Sequence, residues 1–204
     1  MTSVAQFSSH MNLLSCYVKS TRQERLIELL ASYCGFCTVT RDAPVPVPPT
    51  DVLADPQQPP SMYTVNGCGD WVIIEVNSIL KLHELGSILS SQLNTYFLQT
   101  IYCAVIEYAY LLLYHNGILI REIESKGYKT DPDINYGEPL LFEDQPAGQY
   151  FDLDTIADYC QHWGIDINNL FEQDTCVVLQ DSRSQPVIRL DQEQEVFNLF
   201  YPLR

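Results

Sequence analysis

Cys34-Gly-Phe-Cys37 has the two-residue cysteine spacing of thiol-disulfide oxidoreductases. That chemistry needs the first sulfur at a helix N-terminus, where unbonded amides and the helix dipole stabilise a thiolate. Here the periodicity ends a helix at Cys34 and begins a strand at Cys37, so the carbonyl end of the dipole opposes ionisation. A structural zinc site would need two more ligands beside this pair. Cys160 and His162 have the right chemistry, but two positions apart on a helix they point in different directions. Asp131-Pro-Asp133-Ile-Asn135-Tyr-Gly137 spaces oxygen ligands as a calcium loop does. An EF-hand, however, needs Gly at its sixth and Glu at its twelfth position, where this run has Gly seventh and Phe142 twelfth. The four histidines, His10, His83, His115 and His162, sit in no nucleophile motif, and neither Gly-x-Ser-x-Gly nor a phosphate-cradling glycine loop occurs. No metal or cofactor is expected. An enzyme would need a site assembled across the fold without linear trace, using Cys34 or Cys37 if it were a thiol enzyme.

The elements that would position these residues read as α+β. Met11 to Val18 reads as a strand, and Thr21-Arg-Gln-Glu24 matches a capping box for a helix whose face carries Leu26, Leu29, Leu30 and Tyr33. Gly35 is placed to end it in a left-handed conformation, and Phe36 to Thr40 returns as a strand. Seven prolines between Ala43 and Ser61 make that segment an extended surface loop. Trp71 to Val76 is the next strand, followed by a helix capped at Asn77 or Ser78 and running to about Leu93. Gly86 is its weak point, costing about 1 kcal/mol relative to Ala. Runs at 96–106, 108–115 and 118–125 are β-rich, and Asn116-Gly117 joins the last two as a type I′ hairpin. Tyr108, Tyr110 and Tyr114 share one strand parity, expected as a sheet face beneath the last helix. That helix is capped at Asp152 or Asp154, carries Ile156, Tyr159, Cys160 and Trp163 inward, and ends at Gly164, with a further turn from Asp166 to Phe171. Thr175 to Gln180 and Pro186 to Leu190 read as a closing hairpin. The order predicts a ferredoxin-like split βαβ sheet extended by a β-hairpin, with a C-terminal helix and hairpin. Residues 1–125 form the sheet domain, with the Pro-rich loop at 43–61, and 126–204 an acidic extension packed on it.

The 204 residues carry a formal net charge of −15 and 46% hydrophobic side chains, enough for a buried core. The charge is uneven: residues 1–121 hold 9 acidic and 6 basic side chains, and 122–204 hold 17 acidic and 5 basic. Such a field repels phosphate backbones and anionic lipid, so direct nucleic-acid and membrane contact are not expected, whereas basic protein surfaces are attracted. Seven cysteines, an odd number, argue against a disulfide framework. With no signal-peptide pattern at the N-terminus, the expected location is cytoplasmic.

The stretch Gly69-Asp-Trp71-Val-Ile-Ile, the helix with Leu89-Ser90, and Leu111-Leu-Leu-Tyr-His-Asn-Gly117-Ile-Leu-Ile-Arg121 resemble small uncharacterised bacterial proteins. Tyr136-Gly-Glu-Pro139 followed by Phe142-Glu143 resembles immunity-type proteins of bacterial toxin systems. The resemblance covers about a third of the chain and implies no catalytic residues. It joins the charge in pointing to an acidic binding protein, an inhibitor or immunity protein that blocks a basic protein target. Asp131, Asp133, Glu138, Glu143 and Asp144 would supply the field, and Tyr136 and Phe142 the buried contacts. Two other classes stay open: a sensor domain that pairs as a homodimer around a small ligand, and an enzyme with a non-linear site.

Overall fold

The computed structural model describes residues 12–35, 37–44, 57–127, 131–143, 150–167 and 175–181. These residues form a mixed α/β fold built on one antiparallel sheet, with nine strands among them. In chain order the elements are β1 (Asn12–Lys19), α1 (Gln23–Cys34), β2 (Cys37–Pro44), β3 (Met62–Cys68), β4 (Trp71–Val76), α2 (His83–Leu93) and β5 (Tyr96–Cys103). A 3₁₀ turn (Ala104–Ile106) leads to β6 (Tyr108–His115), β7 (Ile118–Lys126), β8 (Ile134–Tyr136), α3 (Leu153–His162) and β9 (Thr175–Asp181). Across the sheet the order is β2-β9-β3-β4-β1-β5-β6-β7-β8.

Both faces of the sheet are covered, and the alternation of side chains along each strand sorts them between two cores. Leu14, Cys16 and Val18 of β1 join Leu26, Ile27 and Leu30 of α1 and Leu85 and Leu89 of α2 on one face. Leu13 and Tyr17 point the other way, into a core completed by Ile156, Tyr159 and Cys160 of α3. β6 lies between α2 and α3, which is why seven of its eight residues are buried and its sequence, YAYLLLYH, shows no polar alternation. No helix among the described residues is long and apolar enough to cross a membrane.

Several local expectations hold. Asn116 and Gly117 have φ of 52° and 82°, as a type I′ hairpin turn requires. Asp152 caps α3, its Oδ1 accepting from the Thr155 amide at 3.0 Å, and Gly164 ends the helix with φ 76°.

Others are corrected. The capping box at Thr21 does not form: the helix begins from Arg22 without a side-chain cap, and Glu24 instead accepts both arms of the Arg41 guanidinium at 2.6 and 2.7 Å. Nor do Asn77 and Ser78 cap α2, which starts at His83. The Asn77 Oδ1 accepts the Ser61 and Met62 amides, and the Ser78 hydroxyl donates to the Gln58 carbonyl, so both tie the approach to β3. β3 itself, a hairpin partner of β4, is an element the sequence reading omits. Gly86 is a packing requirement, because a Cβ there would lie 2.8 Å from Phe97 Cδ1 and 3.0 Å from Tyr114 Cδ2. Tyr108, Tyr110 and Tyr114 do share a face, but it belongs to the α1 and α2 core and not to the last helix. β9 enters the sheet between β2 and β3 and pairs with both. The second strand of the expected closing hairpin, the turn through Phe171 and most of the Pro-rich loop lie outside the described residues.

Candidate functional site

The acidic segment after β7 is built around one buried arginine. β8 pairs with β7 in a register that sets Glu122 opposite Tyr136 and Glu124 opposite Ile134. The chain then returns across the α3 face, where Arg121 Nη2 meets Glu143 Oε2 at 2.6 Å and Arg121 Nε meets the same carboxylate at 2.9 and 3.2 Å. Arg121 Nη1 donates to Asn135 Oδ1 and to the carbonyls of Tyr136 and Gly137. The pair is buried, with side-chain exposures of 4% and 6%. Burial works against the Glu143 charge, but hydrogen bonds from Arg121 and the Leu140 amide outweigh it and hold the carboxyl below its ordinary range. Gly137, at φ 90°, passes so close to the Ile120 carbonyl that a Cβ would stand 2.0 Å from its oxygen.

The candidate residues therefore divide. Asp131, Asp133 and Glu138 are exposed, and Tyr136 is 54% exposed. The Asp133 carboxylate also accepts the Lys126 amide at 2.8 Å. Leu141, which the sequence reading did not single out, is fully exposed at 102%. Glu143 contributes no surface charge, since its carboxylate is matched by Arg121 inside the fold. Phe142 is half-buried as an anchor, stacked on His162 at 3.6 Å between ring centres and edge-on to Tyr159 at 5.1 Å. Asp144 lies outside the described residues.

A second polar cluster lies on the opposite face, between β6, β7 and the start of α2. The Lys81 ammonium sits 2.9 Å from Glu124 and 3.7 Å from Glu122, and 4.8 Å from the centre of the Tyr110 ring. Tyr108 donates to Glu124 at 3.1 Å and Tyr110 to Glu122 at 3.0 Å. His83 completes it, with Nδ1 3.1 Å from the Tyr114 hydroxyl and Nε2 3.3 Å from Glu122. Desolvation foremost, then the adjacent carboxylates, raises the Tyr108 and Tyr110 phenols well above their ordinary range, so both remain hydrogen-bond donors. Both nitrogens of His83 are engaged within the cluster. Sequence reasoning missed the grouping. Its signal was the parity of Glu122 and Glu124 on a strand joined by an Asn-Gly turn to one bearing Tyr108 and Tyr110.

Several of the described thiols are held protonated by burial. Desolvation raises those of Cys16 and Cys103, and pushes Cys160 up to about 12. Cys34 is half-buried at the end of α1, where it hydrogen-bonds the deeply buried Tyr63. Among the described residues no group of three or more His, Cys, Asp or Glu side chains is arranged to hold a metal ion. His115 stacks on Tyr96 with ring centres 4.0 Å apart, and His162 on Phe142, which gives both aromatic packing roles. His10 lies outside the described residues. No protein-family model matches the chain, and neither curated proteins nor solved structures supply a match.

Proposed function

We propose that this chain is an acidic protein-binding module that presents the loop at 131–143 to a basic protein partner, acting as an inhibitor or immunity-type protein. The observation that carries this reading is the display of Tyr136 and Leu141, 54% and 102% exposed, beside the exposed carboxylates Asp131, Asp133 and Glu138. A large apolar side chain held in water gains free energy when a partner covers it, and flanking charge steers that partner and selects its sign. The loop is also fixed in advance: Arg121, Glu143 and the close passage of Gly137 hold its backbone, which lowers the entropy cost of association. The order β3-β4-β1-β5 with α1 and α2 packed in one core favours a split βαβ, ferredoxin-like reading of the sheet's centre, which serves here as the rigid base for the loop.

The test is affinity capture of the tagged full chain from its native cell extract at low salt, with elution along a salt gradient and identification by mass spectrometry. A stoichiometric basic protein released by moderate salt is the expected result. Tyr136→Ala with Leu141→Ala should weaken its retention by about a hundredfold, as removal of two central contacts does, and Glu138→Lys should slow association. Retention unchanged in both variants would remove the loop from the interface.

A further inference from the structure

The α3 face holds a trough that the loop does not fill. Two cavities, of about 400 and 330 Å³, meet at the end of α3 and share Gly164 and Asp166 as lining. The larger is of mixed character, with Ala157, Ile165 and Ile167 beside Gln161. The smaller is walled by Trp71 and Trp163, whose rings pack edge to face 6.3 Å apart. Trp71 Nε1 donates to the Trp163 carbonyl at 3.1 Å, which fixes the indole pair.

We propose that this trough docks an extended segment of the basic partner, seating a Lys or Arg side chain against the indoles and an aliphatic side chain in the Ile165 and Ile167 half. The inference rests on the reading of the chain as a receptor for a basic protein. Charge complementarity selects the occupant. Among the described residues, exposed Asp70 and Asp166 line the indole half against one base, Lys19. The Lys19 ammonium already lies 5.9 Å from the Trp71 ring centre, so this aromatic wall accepts a cation. An anionic segment would meet two carboxylates against the single ammonium of Lys19 among the described residues. In an extended peptide, side chains at i and i+2 fall on one side about 6.5–7 Å apart, a spacing that serves adjoining cavities. The trough is also continuous with the acidic loop: Phe142 stacks on His162, and His162 is edge-on to Trp163 at 6.2 Å.

The probe is acetyl-Ala-Leu-Ala-Lys-Ala-amide, titrated into the ¹⁵N-labelled full chain alongside the same peptide with Glu in place of Lys. The lysine peptide should give saturable shifts at the Trp163 indole, Gly164 and Gly69, and bind at least about tenfold more tightly than the Glu peptide. Gln161→Trp, an exposed α3 position lining the Ile165 and Ile167 half, should block the lysine peptide while leaving the folded spectrum intact. Equal binding of the two peptides, or no saturable shift in the trough, overturns the proposal. Shifts confined to residues 131–143 would overturn the trough and leave the loop reading standing. Trough shifts that persist in the chain carrying Tyr136→Ala and Leu141→Ala would support the trough as a site separate from the loop.

Discussion

Glu143→Gln keeps the shape of the side chain and removes one charge, and it should cost about 3 kcal/mol of folding stability. The magnitude follows from the burial of Arg121 and Glu143, 4% and 6% exposed in their side chains, because an uncompensated buried ion costs roughly 3–5 kcal/mol. Arg121 retains neutral acceptors at Asn135, Tyr136 and Gly137, which places the loss toward the lower end. Arg121→Met with Glu143→Leu replaces the pair by hydrocarbon and should recover most of it, giving a coupling of about 2 kcal/mol or more. The carbonyls of Tyr136 and Gly137 belong to exposed residues and can bond to water once the guanidinium is gone. Urea unfolding followed by Trp71 and Trp163 fluorescence gives the difference, read from the midpoint at constant slope. The folded-state pKa of Glu143 lies below the ordinary 4.5, so its contribution is present above that value and is lost as pH falls through the lower one. Glu143→Gln should therefore flatten the acid limb of the stability profile. A single variant within about 0.5 kcal/mol of the parent, or a double variant as unstable as the two losses added, would refute the reasoning.

Gly86→Ala should destabilise the fold by about 1–3 kcal/mol although alanine is the better helix former, because the added methyl meets Phe97 and Tyr114; a melting temperature at or above the parent's would contradict this. Burial pushes the Glu75 carboxyl up to about 7. Its folded-state pKa is raised, so stability is full below the unfolded value of 4.5 and falls as pH rises through about 7, by a few kcal/mol at most. Glu75→Gln should remove that dependence, and denaturation midpoints at pH 5 and pH 8 that keep the parent's difference would show another group responsible.

What the sequence revealed followed from how local each cause is. The hairpin at Asn116-Gly117 and the Asp152 cap depend on residues two or three positions apart, and both were legible. β3 was not, because MYTVNGC follows a proline-rich run and places Asn66 and Gly67 where a strand signal expects apolar side chains. Asn66 is nevertheless buried. The exposed part of the candidate loop was legible from its acidic and aromatic composition. Its internal part was hidden: Glu143 reads as a surface carboxylate until β8 returns the chain and brings it to Arg121, 22 positions earlier. Lys81 meets Glu124 across 43 positions for the same reason, since the packing of the segment before α2 on β7 and not spacing in the chain sets the pair. Glu24 shows the converse error, a correct local motif outcompeted by a bidentate arginine from β2.

The place of β9 in the sheet bears on how the protein is made. β2 has β9 as its neighbour, with Cys37 opposite Asp181 and Thr40 opposite Val178, while the other side of β9 pairs with β3. On the ribosome, β1, β3, β4 and β5 can assemble as soon as they emerge, but β2 has no strand to join until residues 175–181 follow. Throughout that interval β3 is an open edge whose unpaired amides invite other nascent chains. Closing so long a loop is slow, and the last pairing to form is the one that seals this edge. Truncation before β9 would leave the loop and trough residues in the chain yet expose a strand edge to aggregation, so solubility would fail before binding did.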